Sequence, residues 1–189
     1  MSQADIDAFI LSAGYGTLTS KGVVAAVGVR GIPVNGQSKS NNGFTALHGA
    51  VICWCPELIV ALVAAGANAN VKHKYGKTSV WWGAAYRTAD ILQLLIDGGG
   101  SVNEADNDGR TSLIALVTNF GDTAARLKAL LACPDLDLNA KYKRMTAEEW
   151  AANWNQAELA TAIAEERARR KRWSALRFAW IAATVARRF

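Results

Sequence analysis

Cys53 and Cys55, one residue apart, with His48 five residues upstream, are the side chains here whose types could hold a metal or supply a nucleophile. A zinc site needs four ligands, usually from paired clusters with two residues between paired cysteines. Here the spacing is one residue, no second pair follows, and Cys133 stands far along the chain. The cysteines are therefore expected to be buried or half-exposed thiols. Their odd count, three, with no even framework, points to a reducing compartment. As a general base, His48 would need a nucleophile and an orienting acid nearby, and nothing in the sequence places them. His73, alone in the basic loop VKHKYGK, is expected to be solvated. The stretches GANAN and GGGSVN close helices rather than open one after a strand, so they make no phosphate-binding loop. The chemistry points to a non-enzyme with no metal, no cofactor and no small-molecule substrate.

Charge gives a second lead. The chain has 189 residues, 51% of them hydrophobic, with Lys+Arg 21 against Asp+Glu 16. From Glu165 onward there are eight basic and two acidic side chains, and the residues before it hold thirteen and fourteen. The surplus is concentrated in RARRKRW, residues 167–173. Such a composition suits an ordered protein, and the length suits one substantial domain or an elongated array. The start, MSQADIDAFILSAGYG, has no basic n-region and reads as neither signal nor transit peptide. The longest apolar candidate, WSALRFAWIAATVA, is fourteen residues and contains Arg177, too short to span a membrane. An intracellular location is expected, cytoplasmic first and nuclear second, neither secreted nor transmembrane.

The elements that would position these residues repeat. NGFTALH from Asn42, YGKTSVW from Tyr75 and DGRTSLI from Asp108 put Gly43, Gly76 and Gly109 at intervals of 33 residues, with Thr45, Thr78 and Thr111 in step. A second signature closes each unit, at Asn35, Asn70, Asn103 and Asn139, and RMTAEEWA offers a further threonine at Thr146. A threonine before an apolar run suits a helix N-cap, and glycine permits the positive-φ turn ahead of it. Small residues at Ala50, Gly83 and Ala84 let paired helices approach. The helix pairs fall near 4–13 and 20–29, 45–53 and 57–65, 78–86 and 90–97, and 111–119 and 123–132, with a last first helix near 146–153. Such a unit cannot bury its apolar face alone, and stacking creates a continuous core.

These two motifs recurring in phase resemble the ankyrin-repeat family over roughly residues 4–160. The resemblance implies an all-α solenoid of stacked helix-turn-helix units, here about 4–38, 39–71, 72–104, 105–140 and 141–160, the outer two acting as caps. It also implies a structural His48, hydrogen-bonding between neighbouring loops. Trp54 departs from the pattern, standing where the family has a helix-turn glycine. Loops near Phe120 or Pro134 are expected to be enlarged. Family members bind proteins through turn tips and the exposed positions of the first helices. Carried over, that surface is Phe44, Ile52, Tyr75, Lys77, Tyr86, Arg110, Asn119, Tyr142, Met145 and Trp154, with Lys74, Ala85 and Lys143 beside them. Aromatic residues and Arg are the types that dominate interfaces. One of Trp81 and Trp82 must point inward.

Asn155 with Glu158 resembles a capping box opening a final helix from 156 to about 186, in a stretch free of Gly and Pro. Residues 161–189 form a basic, tryptophan-containing extension. Trp173, Leu176 and Trp180 share one side, and Phe178, Ile181 and Val185 another, an arrangement that expects cover on two sides. Docking into a protein, with Arg169, Arg170, Arg172 and Arg177 at the rim, accounts for both the rings and the charge. Binding to nucleic acid through the arginines and attachment to an anionic membrane are the alternatives. The chain thus reads as a scaffold, an adaptor or an accessory subunit of a larger assembly, with one recognition surface and one docking helix.

Overall fold

The computed structural model describes residues 2–119 and 123–186, with side chains through Arg177. The order is α1 (Gln3–Gly14), α2 (Ser20–Val24), α3 (Ala46–Ile52), α4 (Pro56–Ala64), α5 (Ser79–Tyr86) and α6 (Ala89–Asp97). Then come α7 (Ser112–Val117), α8 (Ala124–Leu131), a hairpin of β1 (Lys141–Tyr142) and β2 (Met145–Thr146), α9 (Ala147–Asn153) and α10 (Ala157–Ala186). The odd-numbered helices stack in sequence as one layer, and the even-numbered helices stack as the other. The core lies between the layers, running from Phe9 and Ile10 through Leu47, Leu62, Leu92 and Leu113 to Ile163. This is an all-α solenoid with a long C-terminal helix.

The threonines do the capping that their spacing implies. Thr78 Oγ1 accepts the amide of Trp81 at 3.1 Å, and Thr45 and Thr146 do the same for His48 and Glu149. Glu149 completes a capping box by accepting the Thr146 amide at 2.7 Å. Thr111 occupies the same slot, but its hydroxyl makes no such bond. Pro56 takes the first turn of α4, where its missing amide proton costs nothing. Gly49 lets α3 approach α1 closely, because a Cβ there would lie 2.7 Å from the Gly14 amide nitrogen. The sequence places the second helix of the first unit near 20–29. Within that range α2 passes into a π-helical turn at Ala25–Val29, with Arg30 donating to the Ala25 carbonyl five residues back.

Three of the four closing asparagines tie their unit to the next. Asn35 accepts from the amide of Asn68 at 2.7 Å and donates to the carbonyl of Gly66. Asn70 holds Ser101 and Gly99 in the same way, and Asn103 holds Asp137 and Asp135. The backbone turn after α1, α3 and α9 is likewise one motif. In each, the residue after the cap is left-handed and the next amide reaches five residues back, at Thr17, Cys55 and Gln156. Gly16 fills that left-handed place after α1, Trp54 after α3 (φ 58°) and Asn155 after α9 (φ 57°). Trp54 therefore keeps the family turn without glycine. Asn155 is the exit from α9 rather than the capping residue of α10, so the expected box with Glu158 does not form.

At the C-terminal end the first turns of α10 form the second helix of the fifth unit, and the helix then runs on past it. Leu159 and Ile163 are buried, and the helix packs on α8 and α9. Its contacts run past residue 160. Arg167 pairs with Glu148 and donates to the Leu138 carbonyl at 2.8 Å. Arg170 donates to the carbonyls of Leu136 and Cys133 at 2.7 and 2.8 Å and to those of Pro134 and Leu131 at 3.2 and 3.3 Å. These carbonyls lie at the end of α8 and in the loop after it, where a helix leaves acceptors for donors from outside, and that of Cys133 also accepts the Leu136 amide at 3.2 Å. From Lys171 to Arg177 every side chain is exposed.

Candidate functional site

The surface formed by the first helices and turn tips is built on rings. Phe44, ahead of α3, stacks on His48 and His73 with centroids 5.4 and 4.9 Å away. Trp82 meets Phe44 and His73 edge-on, and Tyr86 packs on Trp82 at 5.3 Å. Trp81 is fully buried and donates its indole N–H to the Arg110 carbonyl of the next unit at 3.1 Å. Lys77 places its ammonium 4.1 Å from the Trp81 ring centroid, and Arg110 lies over both Trp81 and Tyr142. Tyr142 stacks on Trp150 at 5.6 Å, and Trp150 reaches Trp154. A run of rings, bridged at unit four by the Arg110 guanidinium, thus crosses the tips and first helices of units two to five. Tyr75, Tyr86 and Trp154 stand out of it with exposures of 53%, 42% and 38%.

His48 accepts the Thr45 amide on Nδ1 at 3.2 Å, while Nε2 lies 3.2 Å from the Lys77 carbonyl of the next unit, which it meets as donor. Burial pushes its pKa down to about 4. His73 is buried rather than solvated. Phe44 of the preceding unit covers its ring, Nδ1 accepts the Tyr75 amide at 3.1 Å, and burial lowers its pKa. The hydroxyl nearest His48, that of Thr45 at 2.9 Å from Nδ1, is buried and caps α3, so each imidazole serves to tie neighbouring tips together. Cys53 and Cys55 are half-buried free thiols, and burial with the neighbouring Cys55 raises the Cys53 pKa to about 11, away from reactivity. Among the described residues no group of three or more His, Cys, Asp or Glu is placed to hold a metal ion.

Of the remaining expected surface residues, Ile52 and Met145 are half-buried, and Asn119 turns its amide back to the Ala115 carbonyl of its own helix. Ala85 is buried against Trp81 and Ala115 and is not surface. Phe120 lies outside the described residues. Arg87 and Arg126 stand outside the repeat motifs of the sequence. Arg87 donates to the Val51 and Ile52 carbonyls at 2.7 and 3.2 Å and lies over the exposed Trp54 ring, and the buried Arg126 donates to the Ala84 carbonyl at 2.7 Å. Each thereby closes the C-terminal end of the preceding unit's first helix, as Arg170 does for α8. No local signal marks them, since their partners are backbone carbonyls of another unit.

A family model for the ankyrin repeat matches residues 42–74, the unit carrying Thr45 and His48. Residues 42–74 are an ankyrin repeat, and the units stacked on them share its helix pair. Among known proteins, the B-cell lymphoma 3 protein homolog of Mus musculus is 32% identical over 96 residues, which is 49% of this chain and 21% of that protein. The Neurogenic locus Notch protein of Drosophila melanogaster is 32% identical over 120 residues, 63% of this chain and 4% of that one. The glycerophosphocholine phosphodiesterase gde1 of Schizosaccharomyces pombe is 29% identical over 109 residues, 56% and 10% respectively. The chain spans at most about a fifth of these relatives, so their whole activities belong to them. Ankyrin repeats are protein-interaction modules, in general without catalysis of their own.

The array carries its tail as a helical projection. Trp173 and Leu176 are exposed by 64% and 62%. Arg169 is exposed and pairs with Glu166 at 2.6 Å, while Arg172 and Arg177 lie exposed beyond it. Arg170 differs from its expected role, because its guanidinium is already engaged by four carbonyls and by Glu166. Hydrogen bonds from Arg169 and Arg170 hold the Glu166 pKa down to about 2. The side chains of Phe178, Trp180, Ile181 and Val185 lie outside the described residues. Among the described residues no helix is long and apolar enough to cross a membrane.

Proposed function

We propose that this chain is a non-enzymatic adaptor or accessory subunit that binds one protein on its concave ankyrin face and docks through the projecting part of α10. The observation that carries the reading is the pair of separate exposed aromatic surfaces, Tyr75, Tyr86 and Trp154 on the array and Trp173 with Leu176 on the helix. Lys77, Arg110, Tyr142 and Phe44 support the first, and Arg169, Arg172 and Arg177 rim the second. Burying Trp173 and Leu176 contributes about 4 kcal/mol at ~25 cal/mol per Å² of apolar area. Screened surface arginines add about 0–1 kcal/mol each. The expected division is therefore rings for affinity and charges for orientation.

Co-purification of the full chain, with partners identified by mass spectrometry, tests this. Tyr75→Ala with Tyr86→Ala is expected to remove one partner, and Trp173→Ala with Leu176→Ala another or the same one. Retention of every partner by both double variants refutes the reading. Binding lost steeply with rising salt, and more by Arg169→Gln with Arg172→Gln than by the Trp173 variant, favours nucleic acid instead.

A further inference from the structure

The near-neutral array hides a local imbalance. The tips of units three to five, residues 72–77, 104–110 and 141–144, hold seven Lys or Arg and three acids. All three acids are engaged, Glu104 with Lys72 at 2.9 Å and Asp106 and Asp108 with Arg110 at 3.0 Å. Lys74, Lys77, Lys143 and Arg144 make no ion pair among the described residues.

Three of these placements carry a cost in the isolated fold. The Lys77 ammonium is half-buried over Trp81 and Trp82, and burial together with nearby Arg110 lowers its pKa. The β1–β2 turn places Lys143 and Arg144 at φ 48° and 69°, consecutive left-handed residues of the kind for which hairpins use Asn-Gly. Side chains bearing a Cβ are strained there. Strain that glycine would remove, retained at two cations on a tip, points to a task for those cations. The other rim of the same face, where the first helices end, is aromatic, with Tyr86 and Trp154 exposed.

We infer that the concave face takes an acidic peptide segment of a protein partner, its carboxylates against Lys77, Lys143 and Arg144 and its apolar side chains against Tyr86 and Trp154. This rests on the reading of the concave face as protein-binding and adds the partner's chemistry. Nucleic acid fits less well. Asp108, its side chain 64% exposed, stands on the middle tip between the free cations and would oppose a continuous phosphate backbone. A peptide can place carboxylates on either side of it.

A random dodecapeptide display library panned against the full chain tests the inference. The enriched peptides should carry net negative charge with Leu, Phe or Trp between the acids. Lys77→Met, which keeps the packing over Trp81, combined with Lys143→Glu should weaken them at least tenfold, and Lys128→Glu on α8 should leave them unchanged. Circular dichroism and melting curves establish that the variants fold. If the double variant is destabilised, Lys143→Glu alone, at an exposed tip, should still weaken binding at least threefold. Absence of enrichment, enrichment of neutral or basic peptides, or equal binding by folded variants overturns the inference. So does a single-stranded oligonucleotide that displaces the peptides. The partner found by co-purification separates the two levels. Loss with the Tyr75 and Tyr86 variant but not with the charge variants removes only the acidic segment, and loss with neither removes the concave face as well.

Discussion

Replacing Arg170 with Ala should loosen the C-terminal end of the array far more than replacing its neighbour Arg169. Arg170 donates to four carbonyls, two of them at 2.7 and 2.8 Å, and its side chain is 26% exposed. A hydrogen bond from a charged donor contributes about 1.5–3 kcal/mol. Water can reach part of this site and replace the longer pair, so the short pair sets the scale, and the expected loss is about 2–3 kcal/mol. Arg169 holds only Glu166 and is 56% exposed, so its removal should leave the melting temperature unchanged. Because stacked repeats unfold partly unit by unit, amide hydrogen exchange is the decisive assay beside thermal melting. Protection should fall across α8, α9 and the first half of α10 and remain intact in α3 to α6. Equal melting temperatures and equal exchange for the two variants would refute the argument, as would loss of protection confined to residues beyond Arg170.

Gly49→Ala should cost about 1–3 kcal/mol in urea unfolding, because the new methyl group meets the Gly14 backbone and α1 must shift away. Thr78→Ala should cost about 1 kcal/mol through loss of the cap on the Trp81 amide, measured in the same way. Stability should fall as pH drops from about 6.5 to 4. The His48 pKa is lowered in the folded state, so the unfolded chain takes up the proton first, and the loss reaches about 3 kcal/mol by pH 4. A His48→Gln variant should lose most of that dependence, seen in melting temperatures across the range. Glu166, its folded pKa held near 2, should withdraw a further contribution only below pH 4.5, read as fraying of α10 by hydrogen exchange.

The sequence carried the repeat well, because its period, its threonine caps and its closing asparagines are local signals with one physical job each. Thr78 needs only the amide three residues on, and Asn70 finds Gly99 and Ser101 because the period brings them there. What depended on another unit was harder to read. His73 looks like a solvated residue among lysines until Phe44 of the preceding unit lies on it, and Ala85 looks like surface until Ala115 arrives from α7. Arg170 sits in a run that reads as one charged patch, yet its partners are backbone carbonyls 34 to 39 residues upstream, which leave no mark in side-chain pattern. Trp54 shows the converse case. The backbone kept the family turn and the side chain changed, so the conformation could not be read from the residue type.

The rooting of α10 fixes where a second ligand must stand. At 1.5 Å of rise per residue, Trp173 lies only about 5 Å along the helix axis beyond Arg170, and Leu176 about 9 Å beyond it. A flexible tail would let a docked protein wander, whereas a rod clamped to the last repeat holds it beside the groove at a set distance and azimuth. One partner that touches both surfaces, or two partners that touch each other, would meet the second contact at millimolar effective concentration. Two weak attachments would then act as one strong one, and loosening Arg170 would reduce that avidity without altering either contact.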